Sequence, residues 1–275
     1  MSKERYATWL MLAPSLGVIL ALFAMPLILS VVTSFETDGF FSFANYQKAF
    51  KVYSKDIFFT VVIVALSVLL ICLFSIAIAG ALTLGENRFV VASLRWLYRW
   101  PLFIPFIVAA QLMRTFLAKN GLMNNVLISL DVITPLQAVS FLDWRGIIIT
   151  FVWKQTPFVT LLLAGAMASI DRATIDAGRN LGAGRLRILI EIVVPQTVST
   201  LMVGAILSVV TIMSVLSVPL MINAGTPTMM TVDIAFRINS YGDYGVANAL
   251  GVISYLMVGI ASWIYLRHQI KETQS

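Results

Sequence analysis

Charged residues, histidine and cysteine are all scarce in this sequence. Only 12% of its 275 residues are charged and 59% are hydrophobic, whereas soluble domains are typically about a quarter charged and about half apolar. The single histidine, His268, stands in the carboxyl-terminal tail, which argues against a histidine-based metal site. The single cysteine, Cys72, has no partner for an internal disulfide and lies in an apolar run. This composition indicates an integral membrane protein.

Several functional motifs are also missing. No glycine-rich segment ends in Gly-Lys-Ser or Gly-Lys-Thr, so the chain lacks the usual loop that cradles ATP phosphates. No nucleophile–base pair or metal cluster supports a stand-alone enzyme. The net charge of +6 is assigned to short loops at a membrane surface rather than to nucleic-acid binding.

Six apolar runs are long enough to cross about 30 Å of hydrocarbon. We predict an all-α membrane protein with six transmembrane helices, at residues 9–35, 57–84, 100–117, 146–168, 196–222 and 244–266. Arg114 and Lys154 interrupt the third and fourth runs. The first run is far longer than the roughly 7–15 apolar residues of a signal peptide, so we interpret it as a retained anchor. No Asp or Glu lies within the six runs.

The distribution of Lys and Arg predicts the orientation, because cytoplasmic loops carry an excess of these residues. The side predicted to be outside holds Lys48, Lys51, Lys55, Lys119, Arg145 and Arg237. The richer side should be cytoplasmic, which places both termini and the segment 176–195 inside. Its basic residues are Lys3, Arg5, Arg88, Arg95, Arg99, Arg172, Arg179, Arg185, Arg187, Arg267 and Lys271.

The segment 176–195, DAGRNLGAGRLRILIEIVVP, is polar and basic although apolar spans flank it. Asp171 precedes a helical stretch and is predicted to be its N-cap. A short amphipathic helix of this kind lies on a membrane surface or inserts into a partner's groove. Its apolar stripe at helical spacing comprises Ile170, Ala173, Ala177 and Leu181.

The order and spacing of this segment resemble the coupling loop of ABC-importer permeases. The pattern of that family is Glu-Ala-Ala, three residues, Gly, nine residues, Ile, one residue and Leu-Pro. This chain differs from it in three letters, Asp for Glu, Gly for Ala and Val for Leu. The matching positions here are Asp176-Ala177-Gly178, Gly182, Ile192 and Val194-Pro195.

The resemblance implies a type I ABC-importer permease fold, with residues 1–275 as one transmembrane domain and residues 169–195 as its cytoplasmic coupling loop. In the family this helix sits in a cleft of the ATPase subunit, where Asp176 would contact a basic residue. Gly182 would supply the sharp turn, and Pro195 would set the start of the fifth span. The ATPase-coupling residues are then Asp176, Ala177, Gly178, Arg179, Gly182 and Pro195.

The resemblance extends over most of the chain and is closest to the sugar-type permeases of the maltose-transporter kind. Its segments include Ala13-Pro14-Ser15, Met25-Pro26-Leu27, Phe43-Ala44-Asn45-Tyr46, Trp153 to Phe158, Asn223-Ala224-Gly225-Thr226-Pro227 and Tyr241-Gly242-Asp243-Tyr244-Gly245. In the family the outer region 223–243 contacts a docked binding protein. The string Arg-Asn-Leu-Gly-Ala is nearer to permeases for polyamines, opines and phosphonates, so both substrate groups stay open.

Polar side chains within spans usually face a cavity or a partner. On this basis the candidate substrate-path residues are Gln111, Arg114, Lys154, Gln155, Ser214 and Ser217. Arg114 and Lys154 have an alternative role, because they could snorkel or pair with loop carboxylates. Pro157 and Pro219 are expected to free backbone carbonyls nearby.

The resemblance also implies the partners: a second permease subunit, a dimer of ATPase subunits that bind ATP and magnesium, and an extracytoplasmic solute-binding protein. Membrane lipid surrounds the spans, no nucleic acid is expected, and the location is the bacterial inner membrane. The chain itself is then a non-catalytic subunit without a cofactor. Alternatives are a channel or scaffold, which co-purification of an ATPase would exclude, and a proton-coupled carrier, which would need buried carboxylates or a histidine relay.

Overall fold

The computed structural model describes residues 3–223 and 225–274. Ala224 lies outside the described residues, as do the side chains of Lys3, Arg5 and Lys271. The described chain is mainly helical, with one two-stranded hairpin, β1 (Glu36–Thr37) and β2 (Phe40–Phe41). The helices are α1 Lys3–Ile19, α2 Met25–Ser34, α3 Ala44–Leu84, α4 Arg88–Leu97, α5 Phe106–Leu117, α6 Leu122–Ser129, α7 Trp144–Ala168, α8 Arg172–Asn180, α9 Arg185–Ile188, α10 Val194–Ser214, α11 Ser217–Ile222, α12 Met230–Tyr241 and α13 Tyr244–Gln274.

Within the described chain, five helical stretches are long and apolar enough to cross a membrane. A sixth exists if the bent pair Arg88–Phe103 and Phe106–Ser129 counts as one span. The predicted spans 57–84 and 146–168 lie within such stretches, and the predicted spans 9–35 and 244–266 overlap the stretches Met11–Ser34 and Tyr244–Trp263. α3 begins at Ala44, earlier than predicted. Its first turns carry polar residues, and the prediction excluded them because it followed only the apolar run.

The predicted third span, 100–117, is wrong as one continuous helix. Trp100–Phe103 form a 3₁₀ turn, the chain is extended at Ile104, and α5 starts only after Pro105. The helical segments on the two sides meet at an angle of 109°. Proline cannot continue a helix and pushes the residue before it into an extended conformation, so Pro105 accounts for the break.

The predicted fifth span, 196–222, is shifted. A continuous helical stretch runs over Arg185–Ser214, and α11 follows after a break at Val215, whose backbone is extended. Pro195 therefore lies in the first turn of α10 but does not start the helical run. A π-helical turn, Leu189–Val193, precedes it, and the same arrangement occurs where the π turn Leu20–Ala24 precedes Met25-Pro26.

Contacts divide the chain into two units. The first comprises Met1–Lys55 and Asp233–Met257. Within it, Asn45 donates hydrogen bonds to the carbonyls of Ser34 (3.1 Å) and Glu36 (2.9 Å). A side chain on Gly245 would come within 2.6 Å of the Asn45 amide, so two segments that carried the family resemblance pack against each other.

The second unit comprises Asp56–Val232 and Val258–Ser275. α7 is its central helix and packs against α5, α10 and α11. Close approach of α10 depends on Gly204, because a Cβ there would lie 2.9 Å from a methyl carbon of Val159. Small residues commonly allow such close helix packing in membranes.

The start of α7 is fixed by a local cap. The carboxylate of Asp143 accepts a hydrogen bond from the Arg145 backbone N–H at 2.8 Å and is paired with its guanidinium at 2.7 Å. The side-chain hydrogen bond from Arg145 lowers the pKa of Asp143 and outweighs the opposing effect of burial. The cap therefore stays ionised at neutral pH.

Candidate functional site

The helix α8 begins and ends as its sequence predicts. The Asp171 carboxylate accepts a hydrogen bond from the Ala173 N–H at 2.9 Å, which confirms the N-cap. At the other end, Ala183 N–H bonds to the Gly178 carbonyl and Gly182 N–H bonds to the Arg179 carbonyl. This is a Schellman motif, which needs a left-handed residue after the helix. Gly182 supplies it, with φ of +80°.

α8 has two faces of different character. Ile175 is 8% exposed and Gly178 is buried. The predicted apolar stripe lies elsewhere, since Ala173 and Ala177 are exposed and Leu181 is 89% exposed. Three residues of the predicted stripe are therefore uncovered, whereas its fourth residue, Ile170, packs against the buried cluster that also holds Ile175.

The anchored face joins a hydrophobic cluster at the ends of α3 and α7. Ile175 of α8 and Ile188 of α9 are both buried in it. The buried members from the flanking helical segments are Ala79, Leu84, Leu163, Met167 and Val193. Ile175 and Ile188 are not among the residues predicted from the sequence to be functional. The available signal was the spacing of Ile175 and Gly178, which lie three residues apart on the face opposite Ala173 and Ala177.

Glycines set the distance between this segment and its supports. A Cβ on Gly178 would lie 2.9 Å from Cδ1 of Ile192. A Cβ on Gly80 of α3 would lie 2.7 Å from both terminal methyl groups of Leu189. Gly178 and Ile192 are both positions of the family pattern, and here they contact each other inside the chain.

Charged residues of the segment point outward. Asp176 and Arg179 form a loose pair at 3.5 Å, with 63% and 44% of their side chains exposed. Arg187 donates a hydrogen bond to Glu191 at 2.9 Å. Exposed pairs of this kind contribute about 0–1 kcal/mol, so the Asp176 carboxylate can exchange Arg179 for another cation at little cost.

A further ion pair ties the segment to its surroundings. Arg185, at the start of α9, pairs with Glu86 in the turn between α3 and α4. Both side chains are more than half exposed.

Among the predicted path residues, Lys154 and Gln155 are buried in α7, at 7% and 6% exposure. The Lys154 ammonium points to the break in the third span. It lies 3.4 Å from the Leu102 carbonyl oxygen and 5.0 Å from the Phe106 ring centroid. Among the described residues no carboxylate lies within ion-pair distance of Lys154, whose ammonium instead helps to satisfy backbone freed at the bend.

The other path candidates lie on three helices, α5, α10 and α11. Gln111 and Arg114 are exposed on α5. The Ser214 hydroxyl ends α10 and donates to the carbonyls of Val210 and Thr211, both at 2.9 Å. Ser217 begins α11, which packs against α5 and α7. The structure does not bring all six candidates into one pocket, and their role on a path stays a prediction.

The predicted outer region 223–243 contains the helix α12 rather than only loop. At its end Asp243 is held by Lys48 at 2.7 Å and Arg237 at 3.1 Å. Burial alone would raise the pKa of Asp243, but the hydrogen bond from Lys48, the Val246 N–H and the nearby charges lower it overall. Arg237 also bonds to the Tyr53 hydroxyl at 2.6 Å, a contact that sequence spacing could not reveal.

The fold is that of known importer permeases. A chain of the bacterial ABC transporter that imports the acidic polysaccharide alginate matches with a TM-score of 0.81 at 21% identity, covering 96% of each chain. A chain of the alginate transporter in complex with its pentasaccharide-bound periplasmic protein matches with a TM-score of 0.84 at 20% identity, covering 99% of this chain and 97% of that one. At these identities the likeness establishes the fold.

Curated relatives match over nearly their whole length. The trehalose/maltose transport system permease protein MalF of Thermococcus litoralis is 28% identical, over 96% of this chain and 94% of its own. The sulfoquinovosyl glycerol transport system permease protein SmoG of Agrobacterium fabrum is 25% identical, over 96% and 90%. The spermidine/putrescine transport system permease protein PotB of Escherichia coli is 23% identical, over 88% and 90%.

A family model covers residues 74–269, which include α4 to α12, the predicted coupling segment and five of the six predicted spans wholly or in part. That model describes the inner-membrane component of binding-protein-dependent transport systems. The chain therefore belongs to the family of binding-protein-dependent transport system inner membrane components, as a multi-pass permease subunit of an ABC importer.

Proposed function

We propose that this chain forms half of the translocation path of an ATP-driven importer for a carbohydrate or polyol, and that residues 169–195 couple it to an ATPase. A second permease would supply the other half, and a solute-binding protein would deliver the solute. The observation that carries the proposal is the two-faced helix α8. One face is fixed to α3 and α7 through Ile175, while Ala173 and Ala177 are uncovered.

The uncovered face suits a protein groove. Its small side chains let another surface approach the helix backbone, and Leu181 offers one large apolar group at the end. Asp176 lies beside this face and is held only by a loose pair with Arg179. A basic residue of the ATPase would then replace Arg179 as its partner.

Movement of α8 would reach the spans through packed residues. Ile175 and Ile188 lie in the same cluster as Leu163 and Met167 of α7. Cores respond to displacement as packed solids because they contain few voids. Closure of the ATPase dimer, in which ATP and magnesium would be bound, would therefore shift the ends of α3 and α7.

Two observations support a sugar substrate. Relatives over nearly the full length are named for trehalose/maltose and sulfoquinovosyl glycerol, and the fold matches a transporter of an acidic polysaccharide. The PotB likeness favours a polyamine as the second candidate. Polyamines are cations, however, and the charged path candidates Arg114 and Lys154 are cations too, so like-charge repulsion disfavours this candidate.

The test is affinity purification of the chain from its native membrane, with mass spectrometry of the proteins that remain bound. Recovery of an ATPase, a second permease and a solute-binding protein is expected. The ligand of the recovered binding protein would identify the solute as sugar, polyol or polyamine. Recovery of the chain alone, under detergent conditions that keep other membrane complexes intact, would contradict the importer and its coupling loop.

A further inference from the structure

A basic cleft lies between α4, α7 and α8, next to the coupling segment. Its volume is about 730 Å³. Four arginines and one aspartate are among its lining residues, so the charge of the lining is strongly positive. The arginines are Arg95 and Arg99 from the α4 region, and Arg172 and Arg179 from α8.

These arginines are poorly neutralised within the described part of the chain. No described carboxylate lies within ion-pair distance of Arg95, Arg99 or Arg172, and Arg179 has only the 3.5 Å pair with Asp176. Arg99 donates a hydrogen bond to the Tyr98 hydroxyl at 3.2 Å, and its guanidinium lies 5.6 Å from the centroid of the same ring. The cleft thus presents several guanidinium groups that can bind an anion.

The other side of α4 is aromatic and uncovered. Trp96, Trp100 and Phe103 are 62%, 54% and 80% exposed. The two tryptophan rings meet edge to face, with centroids 4.5 Å apart. Together with Arg95 and Arg99 they line a second, apolar groove, so the same two arginines border both the basic cleft and the aromatic groove.

An arginine cleft beside an aromatic groove matches the two parts of a lipid, a charged headgroup and apolar acyl chains. Tryptophan concentrates at the membrane–water interface, and basic pockets between helices bind anionic headgroups. A headgroup phosphate alone would fit the arginine cleft, but only a molecule with acyl chains would also cover the aromatic groove. A soluble anion would occupy the arginine cleft without contacting Trp96, Trp100 and Phe103.

We propose that α4 and α8 together bind an anionic phospholipid, with its headgroup on Arg95, Arg99 and Arg172 and its acyl chains along Trp96, Trp100 and Phe103. Because Arg172 belongs to the coupling helix, the bound lipid would link that helix to the membrane surface. The binding site rests on the geometry of the chain and not on the proposed transport function. Only the description of α8 as the coupling helix depends on that function.

The test is native mass spectrometry of the full chain, purified in mild detergent and loaded with phosphatidylglycerol or phosphatidylcholine. The wild type should retain phosphatidylglycerol in preference to phosphatidylcholine. The double variant R95Q/R99Q should lose that retention by about thirtyfold, which corresponds to about 1 kcal/mol for each arginine. R88Q is the matched control, because Arg88 is exposed on the same helix but lines neither cleft nor groove.

Equal retention of both lipids by the wild type, or equal loss in R88Q, would overturn the proposal. Free glucuronate serves as a probe for a soluble anion. The proposal would also be overturned if the wild type retained no lipid but bound glucuronate, and if R95Q/R99Q abolished that binding, since the cleft would then be a solute site. Thermal unfolding in lipid-free detergent checks that R95Q/R99Q is folded. The variant W96A/W100A tests the proposal independently, because it alters the aromatic groove and leaves the arginines intact. If lipid is retained but no ATPase co-purifies, the lipid site stands and the proposed function fails.

Discussion

Two short amphipathic helices, α4 and α8, border the same basic cleft, yet their exposed faces differ. On α4 the uncovered side chains are large, including Phe89 at 80% and Trp96 at 62% exposure. On α8 the uncovered apolar residues within the helix are Ala173 and Ala177. Large aromatic groups suit the disordered boundary of a bilayer, whereas small side chains allow close approach by another folded surface. The difference fits the two proposals above, in which the exposed apolar face of α4 meets acyl chains and the exposed apolar face of α8 meets a protein.

The sharpest test of this contrast places the same bulky residue on each helix. Ala177→Trp should lower recovery of the ATPase with the chain, and uptake, by about thirtyfold or more, since a blocked interface centre costs about 2 kcal/mol or more. Ser93→Trp adds the same group at an exposed position of α4 and should leave both nearly unchanged. The measurements are co-purification of the ATPase and uptake in vesicles. Equal effects of the two substitutions would contradict the proposed difference between the exposed faces of α4 and α8.

The second test concerns the turn that positions the exposed face of α8. Gly182→Val should reduce uptake about five- to thirtyfold, because a left-handed backbone costs a residue with a side chain about 1–2 kcal/mol. No neighbouring atom lies within 4 Å of a Cβ built there, so the effect would come from backbone conformation alone.

Two variants isolate that cause. Gly184 also has open space around it but an ordinary φ of −69°, so Gly184→Val should be almost silent. Gly182→Asn should fall between the two, since asparagine tolerates the left-handed region. A Gly184→Val variant as defective as Gly182→Val would show that bulk, rather than backbone conformation, limits the turn.

The third test asks what holds the bend that follows α4. Lys154→Met leaves the Leu102 carbonyl without the ammonium donor at 3.4 Å. We expect a loss of about 1 kcal/mol in the free energy of unfolding, seen as a thermal midpoint lower by about 2–4 °C. Val152→Met places a methionine elsewhere on the same helix and is the control for the methionine side chain itself. An unchanged midpoint for Lys154→Met would mean that proline alone fixes the bend.

The smallest effect is expected at the ion pair between Arg185 and Glu86, which joins the α3–α4 turn to α9. Glu86→Gln removes the partner of Arg185, but both groups are largely exposed. The free energy of unfolding should change by less than about 0.5 kcal/mol, and the change should vanish in high salt. Glu191→Gln, which breaks the pair within one helix, should behave alike. A large effect of Glu86→Gln alone would make this pair a true link between α4 and the coupling segment.

The parts of the fold that depend on neighbouring residues could be predicted from the sequence. The Asp171 cap and the Gly182 turn follow from local hydrogen bonds and backbone freedom, and both are present. The sequence also contained a signal for the bend, since Pro105 disrupts a helix. The apolar residues around Pro105 nevertheless led to the prediction of one continuous span. Composition reports how much of a segment is apolar and not whether its backbone continues.

The parts that depend on distant partners could not be predicted. Lys154 bonds to a carbonyl 52 residues away, so its role required the packed chain. Likewise the pattern of α8 showed apolar residues at helical spacing, but only the positions of α3 and α7 decide that Ile175 is covered and Ala177 is not.

The helical run Arg185–Ser214 has a mechanical consequence. Its 30 residues span about 45 Å at 1.5 Å per residue, whereas the hydrocarbon core of a bilayer is about 30 Å thick. The rod is therefore longer than the apolar layer is thick by roughly a third of its length, and residues 185–195 of the predicted coupling loop are part of the rod itself. A sideways force applied near Arg185 would therefore tilt the whole rod, and the tilt would reach Ser214, where the helical run ends and the backbone becomes extended at Val215.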